Sequence, residues 1–258
     1  MKTYIEFCIK SPLRKIYYKI RDFYKIKKIN KERIKVMKSY DSNIFYLNIG
    51  GSNRFIRKNW RILDYKQKYL DYNLNLFISP TLPIKNHSVD LIITSHCIEH
   101  IGDKPTAHLL KECYRILKPG GVMRIVVPDI DLAYDAFRDN NLVWFQSINK
   151  NSKEWSIEKH FANFFSVYWI DKDSDMRKDI SNMSKIDFLE KYHIEPDGEW
   201  FESGHITWFN KDKIKEMAES VGFKVVFSKY LGSISEEMRD PMFDTYPIFS
   251  FWTDLVKK

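Results

Sequence analysis

Short apolar runs and amphipathic stretches alternate through the middle of the chain. Apolar runs bounded by polar residues predict buried strands at 44–49, 60–63, 73–77, 89–94 and 122–127. Between the last two strands, apolar residues at 109, 110, 113, 116 and 117 have the spacing of one helix face. Strand, helix and strand in this order form a βαβ unit, so the two strands should be parallel with a right-handed crossover.

Turn residues predict where the elements end. Lys118-Pro119-Gly120-Gly121 is expected to stop the helix over 107–117 before the next strand begins. Helices are also predicted at 129–139, where apolar residues fall on one side, and at 211–221, where Asn210 precedes the helix and Gly222 follows it. Further strands are predicted at 223–227 and 250–257. The charged segment 171–195 has a loose pattern that suits a mobile loop.

Four motifs lie in a fixed order between residues 82 and 121. They are Leu82-Pro83-Ile84, Ser88-Val89-Asp90, Ser95-His96-Cys97-Ile98-Glu99-His100 and Leu117-Lys118-Pro119-Gly120-Gly121. In this order and spacing, the set resembles the class I S-adenosylmethionine-dependent methyltransferases. The resemblance implies a doubly wound, Rossmann-like α/β domain with a seven-strand mixed sheet, strand order 3-2-1-4-5-7-6, the last strand antiparallel, and helices on both faces. It also implies S-adenosylmethionine as cofactor.

A second stretch narrows the resemblance. Gly204-His205-Ile206-Thr207-Trp208-Phe209-Asn210 and the tail at 238–244 and 250–257 are similar to a subgroup of small predicted methyltransferases, of the type 11-like kind, often associated with surface-sugar biosynthesis. This similarity implies O-methylation of a sugar or saccharide precursor. Tyr246 departs from it, because a basic residue is expected there. The predicted organisation is an N-terminal arm over 1–40 and a methyltransferase domain over 41–258, with a substrate-cover insertion at about 140–203.

The cofactor-binding residues are expected at the carboxyl ends of the strands, where doubly wound sheets bind ligands. Gly50 and Gly51 form a tight turn after the first strand, because glycine lets the backbone approach a ligand closely. Asp64 ends the second strand, where an acid accepts hydrogen bonds from ribose hydroxyls; a solvated loop acid is the alternative. By resemblance, the predicted cofactor-binding set is Asn48, Gly50, Gly51, Asp64, Ser79, Ser95 and His96, with Asn48 and Ser52 departing from the usual acid and glycine.

Three residues are candidates for the catalytic base. His205 is the first, because the unperturbed pKa of histidine lies near neutral pH and an alkyl hydroxyl must lose its proton during methyl transfer. His96 and Asp129 are the others. Each of the three has an alternative role. For His205 it is a hydrogen bond to the backbone that orients the turn, for His96 it is positioning or plain hydrogen bonding, and for Asp129 it is partnership with His205. Glu99 and His100 could bind a metal only with a third ligand nearby, and the spacing shows none, so no metal site is predicted.

The predicted insertion is rich in aromatic residues. Eight lie between 141 and 170: Trp144, Phe145, Trp155, Phe161, Phe164, Phe165, Tyr168 and Trp169. Aromatic faces suit sugar rings and other amphipathic ligands, so the region could line an acceptor pocket. A local core for helices around 156–170 is the alternative.

Charge is concentrated at the N-terminus. The net charge of the chain is +8, yet residues 1–40 alone hold 13 lysines and arginines against three acids. Ser11 and Pro12 predict a helix start, and residues 11–28 are amphipathic. This arm could contact anionic lipid peripherally, or its apolar face could pack on the domain. Nucleic-acid binding is not expected, because no basic patch with aromatics continues into the body.

The rest of the composition predicts a cytoplasmic protein that contacts the inner face of a membrane only peripherally, if it contacts one. No apolar run spans a bilayer, and Cys8, Cys97 and Cys113 show no disulfide or metal-site spacing. Two other functional classes stay open. One is a methyltransferase-like binding protein without catalysis, suggested by Asn48 and Ser52; the other is a nicotinamide-dependent oxidoreductase, disfavoured because no full G-x-G-x-x-G is present. A methyltransferase acting on protein or another small molecule is an alternative within the class.

Overall fold

A computed structural model describes residues 12–52, 55–149, 152–164, 175–193 and 204–258. Within these residues the strands are β1 Tyr46–Ile49, β2 Trp60–Asp64, β3 Tyr72–Asn73, β4 Val89–Ser95, β5 Leu117–Pro128, β6 Phe223–Ser228 and β7 Ser250–Lys257. The α-helices are α1 Pro12–Met37, α2 Asp103–Ile116, α3 Ile130–Arg138, α4 Leu142–Ile148, α5 Ile157–Ala162, α6 Met176–Asn182, α7 Lys185–Tyr192 and α8 Lys211–Val221.

The seven strands form one mixed sheet in the order β3-β2-β1-β4-β5-β7-β6. Strands β1 to β5 pair in parallel, whereas β7 runs antiparallel to both β5 and β6. The predicted fold class, strand order and antiparallel last strand are therefore confirmed. None of the helices in the described ranges is long and apolar enough to cross a membrane.

Three local predictions were wrong. The strand predicted at 73–77 is only the two-residue β3, and a 3₁₀ helix at Leu76–Ile78 follows, capped by the Asn75 side chain. The helix before Lys118 does end, at Ile116, as predicted, but Leu117–Gly121 belongs to β5, and the pairing with β4 shifts register between Val89 and Leu91. Within this irregular, bulge-like stretch Lys118 pairs with Asp90 and Gly120 has a φ of 76°.

The predicted mobile loop over 171–195 also needs correction. Its described part, 175–193, contains α6 and α7. Apolar residues from both helices are buried, including Met176 and Phe188, and the Ser184 side chain accepts a hydrogen bond from the Asp187 backbone. Burial and a helix cap stabilise these short helices although their exposed faces are highly charged.

Three clusters of buried apolar side chains lie within the described residues, and two of them bear on the site. The main core lies between the sheet and its α2–α8 side, with Ile49, Ile92 and Ile125 fully buried. A second, aromatic core joins α3 to the insertion through Phe137, which stacks on Phe161 with ring centroids 4.7 Å apart. Of the eight insertion aromatics, Phe145, Phe161 and Phe164 are buried there, as the local-core alternative expected, and Phe165, Tyr168 and Trp169 lie outside the described residues.

Helix α1 is attached to the domain near its end. The Arg33 side chain is completely buried, forms an ion pair with Asp71, and lies within hydrogen-bond reach of the Trp60 carbonyl at 3.5 Å. Earlier in the helix, Phe23 and Tyr24 are about two-thirds exposed at 63% and 65%. The helix is described from Pro12 onward; Ser11 lies outside the described residues, so the predicted start at Ser11 and Pro12 stays a prediction.

Candidate active site at the carboxyl edge of the sheet

A cleft of about 190 Å³ opens at the carboxyl ends of β1, β2 and β4. Gly50, Asp64 and His96, three of the predicted cofactor-binding residues, line it. The strand topology explains this convergence, because parallel strands place the residues that follow them at one edge of the sheet. The wall also includes residues that the sequence did not single out, namely Tyr65, Leu74, Asn75, Leu76, Cys97 and Ile101.

Gly50 allows the first loop to pack against the end of β4. Its φ is 76°, and a Cβ at this position would lie 2.6 Å from the sulfur of Cys97. A Cβ on Gly51 would likewise lie 2.5 Å from the Asn48 side chain. Glycine is therefore required here for contact between protein segments, in addition to the predicted approach to a ligand.

Asp64 is held at the end of β2 by the same loop. Its Oδ2 accepts hydrogen bonds from the Ser52 backbone and from the Gln67 side chain, both at 2.9 Å, and its Oδ1 accepts one from the Tyr65 backbone at 2.7 Å. Each carboxylate oxygen has two lone pairs, so Asp64 keeps acceptor capacity toward the cleft. A fixed carboxylate of this kind suits ribose hydroxyls.

The other predicted cofactor residues do not line the cleft. Asn48 is buried against Gly51, and Ser79 ends the 3₁₀ helix in a left-handed conformation. Ser95 forms a hydrogen bond of 2.9 Å with Thr245 in the C-terminal part of the chain. These three residues support the loops around the cleft.

His96 occupies a constrained position beside the cleft. Its backbone has a φ of 49°, a conformation that non-glycine residues rarely adopt. The ring Nε2 lies 2.9 Å from the Ser250 hydroxyl, and Nδ1 lies 3.2 Å from Oε1 of Glu99. Both nitrogens are therefore engaged by neighbouring groups. Tyr246 and Phe249 contact the same ring, with centroids 4.8 and 5.7 Å away.

Glu99 lies at the centre of a histidine cluster. Its carboxylate is buried, and Nε2 of His100 and Nε2 of His205 each lie 3.9 Å from its Oε1. The three histidines lower the pKa of Glu99, although burial alone would raise it. The donor atoms of Glu99, His100 and His205 all lie within 4.8 Å of one another. The structure thus places His205 beside Glu99 and His100, where it could be the third metal ligand that the sequence spacing did not reveal.

His205 reaches this cluster from the turn before α8. Its Nδ1 lies 3.1 Å from the carbonyl oxygen of Phe164, and its ring lies 5.0 Å from that of His100, which lines the cleft. Burial lowers the pKa of His205 to about 4, so the ring is neutral at neutral pH. This corrects the near-neutral pKa on which its nomination as base rested: the ring is free to accept a proton, but it is a weaker base than an ordinary histidine.

Asp129 caps a helix, whereas Cys97 forms part of the cleft wall. The Asp129 carboxylate caps α3 by accepting a hydrogen bond from the Asp131 backbone, and burial raises its pKa. It does not line the cleft. Cys97 does, but burial raises the pKa of its thiol to about 12, so it stays protonated, as expected for a residue acting as a small apolar group.

The sheet order and the cleft at its carboxyl edge define a Rossmann-like class I methyltransferase fold. The methyltransferase-domain family matches residues 46–227, and the chain belongs to this family, whose cofactor is S-adenosylmethionine. Over 83 residues the chain is 34% identical to a probable S-adenosylmethionine-dependent methyltransferase of Mycolicibacterium smegmatis. That match covers 32% of this chain and 31% of the relative.

Two solved structures are similar at low identity. An S-adenosylmethionine-dependent methyltransferase of Thermotoga maritima is 14% identical, with 93% of this chain and 96% of that chain covered and a TM-score of 0.40. Phosphoethanolamine N-methyltransferase 2 of Haemonchus contortus, in complex with S-adenosylmethionine, is 13% identical, with 88% and 52% covered and a TM-score of 0.38.

The residues of the cleft fit S-adenosylmethionine. Asp64 presents a carboxylate for ribose hydroxyls, and Leu74, Leu76 and Ile101 provide apolar walls for a ring system. His96 and His100 also line the cleft, and by resemblance His96 is expected near the methionine part. Through His100 the cleft adjoins the Glu99 cluster.

Proposed function

We propose that the protein transfers the methyl group of S-adenosylmethionine to a hydroxyl group of a sugar or saccharide precursor. The observation that supports this most directly is the position of His205, which joins the cofactor cleft through its ring contact with His100. Methyl transfer is an in-line displacement, and much of its rate comes from holding the acceptor oxygen in line with the methyl group. A hydroxyl acceptor also has to lose its proton.

Among the three candidate bases, His205 is the best placed to act on an acceptor hydroxyl. Since a carbonyl can only accept, Nδ1 of His205 donates its hydrogen to Phe164, which leaves a lone pair on Nε2. Both nitrogens of His96 are engaged, by Glu99 and Ser250, so His96 is better suited to positioning. Asp129 is occupied as a helix cap. We therefore assign activation of the acceptor to His205 beside Glu99.

An aromatic wall next to this site supports a saccharide acceptor. Tyr246 and Phe249 stack with ring centroids 5.2 Å apart, and Phe164 lies 5.7 Å from Phe249. Tyr246 is 57% exposed although it packs on Phe249 and His96, so part of its ring remains accessible to a ligand. Aromatic rings present apolar faces to the C–H groups of sugars while leaving sugar hydroxyls free for polar partners.

Calorimetric titration with S-adenosylmethionine tests the enzyme proposal. Wild type should bind the cofactor, and Asp64→Ala should weaken binding about tenfold or more, because it removes the carboxylate that meets the ribose. Asp212→Asn on the exposed first turn of α8 is the matched control and should leave binding unchanged. Absence of binding by wild type at millimolar cofactor would favour a non-catalytic, methyltransferase-like binding protein.

Labelled methyl groups test the acceptor class. Incubation with labelled S-adenosylmethionine should place label in a carbohydrate extract, and Tyr246→Ala should raise KM for that acceptor without weakening cofactor binding. Tyr230→Ala, a half-exposed tyrosine on the β6 side of the sheet, serves as the control. Label in protein instead of carbohydrate would overturn the saccharide proposal and leave the cofactor chemistry intact.

We also propose that α1 contacts anionic lipid peripherally. Phe23, Tyr24 and Ile26 are exposed, and Lys25, Lys27 and Lys28 lie on the same turns. An apolar face with adjacent cations suits the headgroup region, where each cation contributes about 1 kcal/mol. A saccharide carried on a lipid would bring its acceptor to such a surface.

Vesicle sedimentation tests this contact. Wild type should bind vesicles that contain phosphatidylserine, and the combined Phe23→Ser, Tyr24→Ser and Ile26→Ser variant should lose binding while keeping every positive charge. Ile34→Ser, a single exposed apolar residue near the anchored end of the same helix, is the control. Equal binding by the triple variant and wild type would overturn the proposal.

A further inference from the structure

Both oxygens of the Glu99 carboxylate lack a hydrogen-bond partner in the structure, although the residue is 1% exposed. The nearest partner is Nδ1 of His96, which makes an ion-pair contact of 3.2 Å with Oε1. A buried carboxylate with so few partners is costly, because it has lost its water with little to replace it. A cation held beside the carboxylate would offset this cost.

The neighbouring histidines are oriented by backbone carbonyl groups. Nδ1 of His100 lies 2.7 Å from the oxygen of Gly204, and Nδ1 of His205 lies 3.1 Å from the oxygen of Phe164. Because a carbonyl oxygen can only accept, each Nδ1 carries the hydrogen and donates it. In the neutral rings both Nε2 atoms then carry lone pairs, and both are 3.9 Å from Oε1 of Glu99.

Two imidazole lone pairs and a carboxylate oxygen thus converge on one small space. Such an arrangement is repulsive unless a proton or another cation lies among the three groups. A hydrogen bond from Nδ1 to a carbonyl is also the usual way in which proteins orient histidine ligands toward a metal. With metal–ligand bonds of about 2.0–2.2 Å, tetrahedral donors lie roughly 3.3 Å apart, so side-chain shifts of about 1 Å would close the site.

We propose that Glu99, His100 and His205 form a binding site for a divalent transition-metal cation. One carboxylate and two imidazoles match Zn²⁺ sites with an open coordination position and also the two-histidine, one-carboxylate sites of Fe²⁺. Mg²⁺ and Ca²⁺ prefer oxygen ligands and should bind weakly here. His96 contributes as a positioning residue, since its Nδ1 lies 3.2 Å from the same Oε1 of Glu99.

The position of the site gives the cation a role in the proposed reaction. His100 lines the cofactor cleft, so a metal at this point lies between the cleft and the aromatic wall of Tyr246 and Phe249. A coordinated hydroxyl loses its proton at lower pH than a free one. In the metal-bound form Nε2 of His205 would be a ligand and could not take the proton, so the coordinated hydroxyl would release its proton to water. This role, unlike metal binding itself, rests on the proposed methyltransferase function.

Metal binding can be measured without any assay of activity. The full chain, stripped with a chelator and dialysed, is titrated calorimetrically with Zn²⁺, and with Co²⁺ while its visible absorption is recorded. We expect one Zn²⁺ per chain, a Co²⁺ spectrum typical of nitrogen and oxygen ligands, and weaker binding of Mg²⁺. His100→Gln, His205→Gln and Glu99→Gln should each lower Zn²⁺ affinity at least tenfold.

Matched controls distinguish the loss of a metal ligand from unfolding of the variant and from failure of the proposed function. His108→Gln changes a half-buried histidine of α2, which contacts the Pro80 carbonyl at 3.3 Å, and should bind Zn²⁺ like wild type. Titration of the same samples with S-adenosylmethionine should show that His205→Gln retains cofactor binding. The metal proposal is wrong if wild type binds no Zn²⁺, or if His205→Gln binds Zn²⁺ as tightly as wild type, whatever the cofactor titration shows.

Discussion

Arg124 donates two nearly parallel hydrogen bonds to Asp244, at 2.7 and 2.8 Å, and both side chains are completely buried. A third bond of 2.9 Å joins Arg124 to Asp254 of β7. Arg124 lies in β5, whereas Asp244 belongs to the segment between β6 and β7 that carries Tyr246 and Phe249. This buried trio therefore fixes the aromatic wall to the middle of the sheet.

Replacing Asp244 by asparagine should destabilise the protein by about 3–5 kcal/mol, because the Arg124 charge loses one of its two partners in the interior. The measurement is the free energy of unfolding in urea. Asp240→Asn is the matched control: Asp240 pairs with Arg57 at 2.8 Å near the surface, and its loss should cost less than about 1 kcal/mol. Equal costs for the two variants would contradict the assigned role of the trio.

Arg33→Met should loosen α1 from the domain. The substitution removes the buried guanidinium and leaves the Asp71 carboxylate with the Ile62 backbone and the Tyr40 hydroxyl as partners. We expect a loss of about 3 kcal/mol in stability and faster proteolysis within α1. Lys31→Met on the exposed side of the same helix should change neither quantity. Resistance of the Arg33 variant to proteolysis would show that other contacts hold the helix.

Gly50→Ala and Gly120→Ala compare two glycines with the same φ of 76°. Alanine at Gly120 meets nothing within 4 Å, so only backbone strain of about 1–2 kcal/mol is expected. Alanine at Gly50 adds the collision with Cys97, which should cost about 1–3 kcal/mol more and weaken S-adenosylmethionine binding. Chemical denaturation and calorimetry give the two quantities. If the two variants behave alike, the packing of Gly50 on Cys97 has no energetic consequence.

His160 should make the stability of the protein depend on pH. Burial lowers its pKa, and its Nε2 has no hydrogen-bond partner in the structure. The unfolded chain therefore takes up the proton more readily than the folded one. Stability should be full above the ordinary histidine pKa and should fall as the pH drops from there toward the lowered value in the folded state.

Unfolding measured at several pH values between neutral and mildly acidic tests this expectation. His160→Gln should flatten that pH dependence, although loss of the stacked contact with Phe145 lowers stability at every pH. An unchanged slope in His160→Gln would assign the pH dependence to other groups.

Local sequence signals sufficed for much of the fold. Asn210 caps α8 through its side chain and Gly222 ends it with a φ of 110°, as their residue types predicted. The strand order followed from the resemblance carried by 82–121, and the short strands β1 and β4 followed from their apolar runs. The two-residue β3 did not, because so short an edge strand has too little pattern to distinguish it from the 3₁₀ helix beside it.

The site was predictable only where it follows the strands. Gly50, Asp64 and His96 end adjacent strands, so topology alone brings them to one cleft. The contact between Glu99 and His205 joins distant parts of the chain, and no spacing rule encodes such a contact. The burial of α6 and α7 was not predictable either, because it also depends on contacts between distant parts of the chain. Met176 and Phe188 become core residues only when α3 packs against them, and the charged sequence around them does not show this.

The separation of the main core from the aromatic core has an evolutionary consequence. Gly50, Asp64 and β4 belong to the part of the molecule built on the main core, whereas the insertion packs on the aromatic core around Phe137 and Phe161. If Phe164 and its neighbours in the insertion contact the acceptor, as we propose, exchange of that segment should change the acceptor while the cofactor cleft stays in place. Replacement of one segment would then be a route to new substrates.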